Sequence, residues 1–232
     1  MNNKLTFAIL FSIALVGCGI RGYHWATYGA GDTSAGDVKH ASQPGARVVV
    51  PNNFLDPPAQ EAPKPRCGVE RWAIKTLADP EGGKVFASKA SLSSIAILVN
   101  IKPPTREELQ KAETTRFEPE THKVRVAALV MGFKREADSD FHIVIADPAD
   151  RTVTMIAEIP AGGCAPAVYE PLFAKEQLTF PVQFGPVVPK FHKLDTPVHI
   201  VAEGIVFFDF LHGQTGVAPN GIELHPLTLW EK

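Results

Sequence analysis

The chain has 232 residues, a formal net charge of −2 and a hydrophobic share of 45%. With 23 basic against 25 acidic residues, it lacks the excess positive charge that is typical of nucleic-acid-binding proteins. The length suits one domain with its own core, and no apolar stretch reaches the roughly 20 residues of a membrane-spanning helix. We therefore expect no transmembrane helix in the mature protein.

The N-terminus has the pattern of an export signal. Lys4 precedes a short apolar stretch, 5–16, that is typical of the hydrophobic region of a signal peptide. The stretch ends at Leu-Val-Gly-Cys18, which resembles the lipobox of bacterial lipoproteins. This resemblance implies cleavage before Cys18 and lipidation of that cysteine, and two or more acyl chains give stable anchoring. The alternative is an ordinary signal peptide with a cysteine near its cleavage site.

The lipobox divides the chain into three parts. Residues 1–17 are predicted to be the signal peptide, and Cys18 to anchor the exported protein to a bacterial membrane, facing the periplasm or the cell exterior. Gly19, where Asp would signal inner-membrane retention, favours the outer membrane. Residues 18–66 are rich in Pro, Gly and Ala and indicate a flexible tether, with 47–50 as a possible short strand.

Two cysteines, Cys67 and Cys164, remain after lipidation of Cys18. An even pair in an oxidising compartment favours a disulfide, which over such a long loop contributes about 4 to 5 kcal/mol on the chain-entropy model. The alternatives are two free thiols or a metal-binding pair. Residues 67–232 are predicted to form a single disulfide-closed β domain.

The first part of this domain has weaker patterns. Residues 71–77 alternate between polar and apolar side chains and predict a strand, and residues 92–101 predict a second one. The segment Thr105-Arg-Glu-Glu108 matches a capping box, which predicts the start of a short helix.

From residue 123 onward the pattern is clearer. It predicts strands at 124–134, 141–146 and 152–159, a helix at 169–178, and strands at 198–210 and 222–230. This order of three strands, a helix and two strands is the order of an OB-fold, a small five-stranded barrel. Gly132 and Gly204 suit strands that bend to close such a barrel. We therefore predict a mainly β fold with an OB-like core at about 123–231 and extra N-terminal strands; an open β-sandwich is the alternative.

Four segments, 67–77, 138–147, 154–160 and 204–226, resemble a family of secreted bacterial proteins of unknown function. The last contains the long and specific sequence FFDFLHGQTGVAPNGIELHP. The resemblance extends from Cys67 to the C-terminus. Since that family has no established activity, the resemblance implies no catalytic residues.

The loop after the fourth core strand carries the densest set of functional side chains. Glu223 and His225 are two apart on a strand and share a face, and the OB-fold places this loop beside its ligand site. We predict these ligand-binding candidates: His142, Asp209, His212, Gln214, Asn220, Glu223 and His225. The set His212, Glu223 and His225 is a candidate metal site. The alternative is that these groups satisfy the backbone of a Gly-rich loop.

Acidic residues at hairpin ends form a second group. Asp138, Asp140 and Asp147 do not have the spacing of a regular calcium loop, so we interpret them as solvated turn residues.

Two functions follow from these patterns. The first is a membrane-anchored envelope protein whose OB-like module binds a protein, glycan or nucleic-acid ligand. The alternative is a metal-assisted, nuclease-like hydrolase that uses the 209–225 loop. The sequence lacks a Gly-x-Ser-x-Gly elbow, a His-Glu-x-x-His motif and a dinucleotide fingerprint. It indicates no particular cofactor and leaves enzymatic activity open.

Overall fold

The computed structural model describes residues 65–232. The predicted signal peptide, Cys18, the possible strand at 47–50 and all but the last two residues of the tether lie outside this part of the chain. None of the helices within 65–232 is both long enough and apolar enough to cross a membrane.

The described chain is mainly β. Its strands are β1 (Ser91–Ser93), β2 (Lys123–Arg135), β3 (Phe141–Ala146), β4 (Thr154–Ile159), β5 (His192–Phe208) and β6 (Ile222–Glu231). Its α-helices are α1 (Trp72–Lys75), α2 (Gly82–Ala87), α3 (Ile95–Leu98), α4 (Arg106–Lys111) and α5 (Glu170–Phe184). Single 3-10 turns lie at Glu118–Thr121 and Gly162–Cys164.

Strands β2 to β6 form a ring. They are hydrogen-bonded in the order β2-β3-β4-β6-β5, and β5 pairs again with β2. Neighbours are antiparallel except for β4 and β6, which run parallel. Strand β1 pairs in parallel with β2 outside the ring. The predicted order of three strands, a helix and two strands after residue 123 is present, and the ring needs no strand from the preceding region.

Two glycines lie where the long strands of the ring change register. The pairing of β2 shifts between Val130 and Gly132, and that of β5 shifts on both sides of Gly204. A Cβ atom at Gly132 would lie 2.6 Å from the carbonyl oxygen of His192, and one at Gly204 would lie 2.9 Å from the Cβ of Leu224. Only glycine allows the chains to approach this closely, so both register shifts require it.

The hydrophobic core fills the inside of the ring and continues beneath α5. On α5, Phe180 and Phe184 are buried against Phe133 of β2 and Trp230 of β6. Ring centroids in this group are between 4.5 and 6.2 Å apart, within the range of favourable aromatic pairs. Helix α5 therefore covers one side of the core.

Of the two strands predicted before residue 105, the one at 71–77 is wrong, and the one at 92–101 is present only in its first two residues. Residues 71–77 contain α1, and residues 92–101 contain the end of β1 followed by α3. Both helices have only four residues, less than the length over which a helical period is visible in sequence. The capping box is confirmed, because the Thr105 hydroxyl accepts from Glu108 N and the Glu108 carboxylate accepts from Thr105 N.

A disulfide and buried ion pairs attach the N-terminal segment to the ring. The predicted Cys67–Cys164 bridge is confirmed, with Cα atoms 5.5 Å apart. Four buried side chains, which we call the Arg71 network, form two ion pairs beside it: Arg71 with Glu120 and Arg116 with Asp79. These contacts hold α1 against the outside of the ring.

Candidate functional site

Polar side chains from three neighbouring strands meet on the outer face of the ring. His142 on β3 lies opposite Glu158 on β4, and β4 pairs with β6, which carries Glu223 and His225. The residues that alternate with them belong to the core, so these side chains point away from it. Together with Asp140 they form a buried set that we call the His225 cluster: Asp140, His142, Glu158, Glu223 and His225.

His142 has a partner at both ring nitrogens. Its Nε2 lies 2.9 Å from the carbonyl oxygen of Thr215, and its Nδ1 lies 3.1 Å from Oε1 of Glu158. A carbonyl oxygen only accepts, so Nε2 carries the proton there. Burial by itself would lower the pKa of His142, but the hydrogen bond and the charge of Glu158 outweigh it and raise that pKa. The Glu158 carboxylate therefore favours the protonated form of His142, in which Nδ1 donates to Oε1.

His225 is fully buried and has a hydrogen-bond partner at neither ring nitrogen. Its Nε2 lies 3.5 Å from Oδ2 of Asp140, and its Nδ1 lies 3.3 Å from Oε2 of Glu158 and 3.7 Å from Oε2 of Glu223. Burial lowers the pKa of His225 to about 4, against the attraction of Glu158. The imidazole is thus neutral at neutral pH and has a lone pair available.

The carboxylates around His225 are also incompletely paired. Asp140 accepts from the backbone N–H of Ala161 at 2.8 Å through Oδ1, while its Oδ2 and both oxygens of Glu223 have no partner. Burial, with repulsion from Asp138, raises the pKa of Asp140 to about 8. Burial, with repulsion from Asp209 and Glu158, also raises the pKa of Glu223. The site therefore contains more buried carboxyl groups than it has cations to pair with them.

Lys75 provides the nearest fixed positive charge. It projects from α1 and lies 3.3 Å from Oδ2 of Asp209, just after β5, with both side chains nearly buried. Burial alone would lower the pKa of Lys75, yet the charges of Asp209 and Glu158 raise it. Lys75 is consequently a permanent cation beside the cluster, directed mainly at Asp209.

A cavity of about 440 Å³ connects this region to solvent. Its walls come from the segment after Cys67, the β2–β3 loop, β4 and the loop after β5. Glu158 and Lys75 line it. Because Glu158 also belongs to the His225 cluster, the cavity reaches one edge of the buried site.

The structure separates the seven candidates from the sequence into two groups. It brings His142, Asp209, Glu223 and His225 into or beside the His225 cluster. His212 and Gln214 lie in the loop after β5, where His212 is exposed and contacts Gln214. Asn220 serves the loop itself, since its amide nitrogen donates to the carbonyls of Leu98 and Ile101.

The sequence prediction for Asp140 and Asp147 is corrected. Both side chains are buried instead of solvated. Asp147 accepts from the backbone N–H groups of Ala96 and Ala149 and thereby holds the start of α3 against the β3–β4 turn. Asp138 is only partly buried and lines the cavity.

Sequence reasoning missed three members of the site, Lys75, Asp140 and Glu158. Glu158 carried a usable signal, because it is the lone charged residue in the apolar strand Thr154–Ile159. Such a residue in a buried strand needs a partner or a ligand. Lys75 gave no such signal, since only the packing of α1 against the ring brings it to the site.

Comparisons with protein-family models, curated proteins and solved structures gave no match for this chain. The chemistry of the site therefore follows from its own residues. A neutral imidazole, carboxylate oxygens without partners and a permanent ammonium group lie next to a solvent-connected cavity. This combination can bind a cation or a polar ligand, or transfer protons.

Proposed function

We propose that this protein is a lipid-anchored lipoprotein of the bacterial envelope whose OB-like module binds a ligand in the cavity beside the His225 cluster. The strand order supports the OB-like part. A five-stranded ring with a helix between its third and fourth strands, and a parallel pair between its third and fifth, has the order of an OB-fold. The resemblance to secreted bacterial proteins is compatible with an envelope location.

The position of the cavity carries the proposal. Its wall includes Glu136, Ala137 and Asp138 from the loop between β2 and β3. It also includes His212 and Gln214 from the loop between β5 and β6. In an OB-fold these two loops border the face that binds oligosaccharides and oligonucleotides. The volume of about 440 Å³ lies within the range of pockets for small ligands.

The charges of the cavity select among ligand classes. Its lining has two cationic side chains, Arg66 and Lys75, against five carboxylates: Glu70, Glu136, Asp138, Glu158 and Asp209. Such a wall repels a phosphate backbone. Carboxylates accept from hydroxyl and ammonium groups, and the partly buried Trp72 offers a flat apolar surface. A short glycan, above all one with amino sugars, fits this lining better than a nucleic acid.

Calorimetric titration of the full chain with a short glucosamine oligomer tests the ligand. We expect binding that weakens about ten-fold in Glu70→Lys, because a cation then lines the cavity and a ten-fold change corresponds to about 1.4 kcal/mol. Glu81→Lys is the matched control, since Glu81 is exposed, lies outside the cavity lining and changes the net charge equally. Absence of sugar binding, or tight binding of a single-stranded oligonucleotide at low salt instead, would contradict the glycan proposal.

The anchor is tested separately. Expression of the wild-type chain in a bacterial host, followed by membrane fractionation and mass spectrometry, should give a membrane-bound protein with acyl chains on Cys18. The Cys18→Ser chain should not be lipidated and should leave the outer-membrane fraction. Equal membrane association of the two chains would rule out lipidation as the anchor.

A metal-assisted hydrolase is the second candidate, and one observation favours it. Glu158 faces both the cavity and the His225 cluster, so a cation held by Glu158 would meet a bound substrate. Hydrolysis of bis(p-nitrophenyl) phosphate by the full chain with added Mn²⁺ tests it, and Glu158→Gln should abolish turnover. Turnover that is absent, or unchanged in that variant, would exclude this candidate.

A further inference from the structure

We propose that the His225 cluster is a binding site for one divalent transition-metal ion, held by Asp140, Glu158 and His225. This ligand set differs from the set His212, Glu223 and His225 suggested by the sequence. It also stands apart from the glycan proposal, because the cluster lies behind the cavity wall and its occupancy is measurable without a sugar.

The spacing of the donor atoms supports one shared ion. Asp140, Glu158 and His225 each offer a ligand atom within 4.8 Å of the others. Nε2 of His225 lies 3.5 Å from Oδ2 of Asp140, and Oε2 of Glu158 lies 3.3 Å from the other ring nitrogen, Nδ1. Ligand atoms at about 2.1 Å from a tetrahedral or octahedral ion lie about 3.0 to 3.4 Å from each other. Because one ion binds only one nitrogen of an imidazole, only the pair Nε2 of His225 and Oδ2 of Asp140 has approximately this spacing, and Glu158 belongs to the set within the 4.8 Å limit.

Unpartnered polar atoms converge on the same point. Eight buried side-chain atoms of the described chain have no hydrogen-bond partner, and five of them belong to Asp140, Glu223 and His225. Since buried polar groups in proteins are almost always satisfied, this concentration points to a missing partner. A metal ion would accept electron pairs from Oδ2 of Asp140 and from one nitrogen of His225.

The site has more buried carboxyl groups than cations to pair with them, which favours a bound cation. Asp140, Glu158 and Glu223 are buried together, while Lys75 is paired with Asp209 and His142 with one oxygen of Glu158. Uncompensated buried carboxylates are costly.

Neighbouring groups would orient the ligands. His142 donates to Oε1 of Glu158 at 3.1 Å, which leaves Oε2 to face His225. Glu223, 3.7 Å from Nδ1 of His225, can accept from the ring nitrogen that does not bind the ion. Metal-bound histidines are usually held by a carboxylate in this way, so Glu223 and His142 are positioning residues.

The donor types indicate which ion. Carboxylates suit Mn²⁺, Mg²⁺ and Ca²⁺, whereas imidazole suits Zn²⁺ and other transition metals. Two carboxylates with one imidazole therefore favour Mn²⁺ or Zn²⁺ over Ca²⁺, which takes six to eight oxygen ligands.

A second set within 4.8 Å, Glu136, His142 and Glu158, is a weaker candidate. Both nitrogens of His142 already have partners, Thr215 and Glu158. Binding an ion there would break one of these hydrogen bonds. The ring nitrogens of His225 make no hydrogen bond, so an ion bound there would break none.

The experiment is a calorimetric titration of the chelator-treated full chain with MnCl₂ and, separately, with ZnCl₂. We expect one ion per chain, and a loss of affinity of at least about 100-fold in Asp140→Asn and His225→Gln, since even supporting groups contribute 10- to 100-fold. His212→Ala is the control and should bind as the wild type does. Pulsed electron paramagnetic resonance of the Mn²⁺ form should show coupling to an imidazole nitrogen that disappears in His225→Gln.

The outcomes separate the possibilities. Absence of a bound ion in the wild type overturns the site, whatever the result with glucosamine. Retained binding in His225→Gln together with loss in His212→Ala would assign the ion to the loop. If His225→Gln does not fold, Glu158→Gln decides, because this side chain is 10% exposed at the cavity and its replacement keeps the shape. Unchanged affinity in that variant also overturns the site.

Discussion

The protein buries charged side chains in two places beside α1, and the two differ in how completely the charges are paired. In the Arg71 network, Arg71 uses all five N–H donors, on both oxygens of Glu120 and on three backbone carbonyls. Glu120 in turn accepts from the backbone N–H groups of Phe117 and Phe208. In the His225 cluster, by contrast, five side-chain atoms have no partner.

This difference separates the buried charges that hold the fold from those that we propose to bind a ligand. A fully paired network fixes one conformation, whereas unpaired buried atoms are tolerated where a bound partner completes them. Both sets lie beside α1, since Arg71 directly precedes this helix and Lys75, next to the His225 cluster, is its last residue. The Arg71 network thus holds α1 in the position from which Lys75 reaches Asp209.

The largest effect on stability is expected from Arg71→Met. It leaves Glu120 buried without its charge partner, and breaking a buried pair by removing one member costs about 3–5 kcal/mol. Urea unfolding of the full chain measures this loss. Arg151→Met, at an exposed turn, is the control and should unfold as the wild type does. A loss below about 1 kcal/mol would mean that the network is not what holds α1.

Glu223→Met, in the presence of a chelator, is expected to raise the free energy of unfolding instead of lowering it. The change removes two unpartnered buried oxygens and their repulsion with Asp209 and Glu158. Since an unsatisfied buried polar group costs about 1 to 3 kcal/mol, replacing it by an apolar group of similar volume should stabilise the fold by about that amount. The same urea experiment measures it, and Glu120→Met should be strongly destabilising. Similar losses in both variants would erase the distinction between the two sets.

The fold was predictable where the chain repeats a pattern over many residues. Strands β2 to β6 follow from alternating or continuous apolar residues between turn signals, and α4 from its capping box. The N-terminal part was not predictable, because α1 and α3 are single turns with no detectable period. Their position depends on contacts distant in sequence, such as those of Arg71 with Glu120 and Phe208.

The candidate site was predictable only within one strand. The period of two places Glu223 and His225 on one face, and the structure brings them within 3.7 Å. Glu158 comes from another strand and Asp140 from the residue before β3, so only the parallel β4–β6 pairing and the β3–β4 hairpin reveal them. His212 seemed equivalent to His225 in sequence, yet it lies on the exposed loop.

A smaller loss of stability is expected from Asn220→Ala. This variant tests whether Asn220, a ligand-binding candidate from the sequence, stabilises the loop and does not bind a ligand. The Asn220 amide donates to two carbonyls, and its oxygen accepts from Ile222 N at 3.2 Å. Losing these bonds should cost about 1 to 3 kcal/mol of unfolding free energy. Affinity for Mn²⁺ should stay unchanged when measured below the unfolding transition. A selective loss of Mn²⁺ binding at full stability would place Asn220 with the His225 cluster.

The smallest effect is expected from His212→Ala, and it makes the sharpest contrast with His225. His212 is exposed, and its side chain contacts Gln214, whose amide also donates to the Phe210 carbonyl at 2.8 Å. Because that second bond remains, the loop keeps its conformation and the thermal unfolding midpoint should not change. Circular dichroism melting of both histidine variants measures this. A lower midpoint in His212→Ala than in His225→Gln would show that the loop, and not the buried cluster, contains the histidine on which the domain depends.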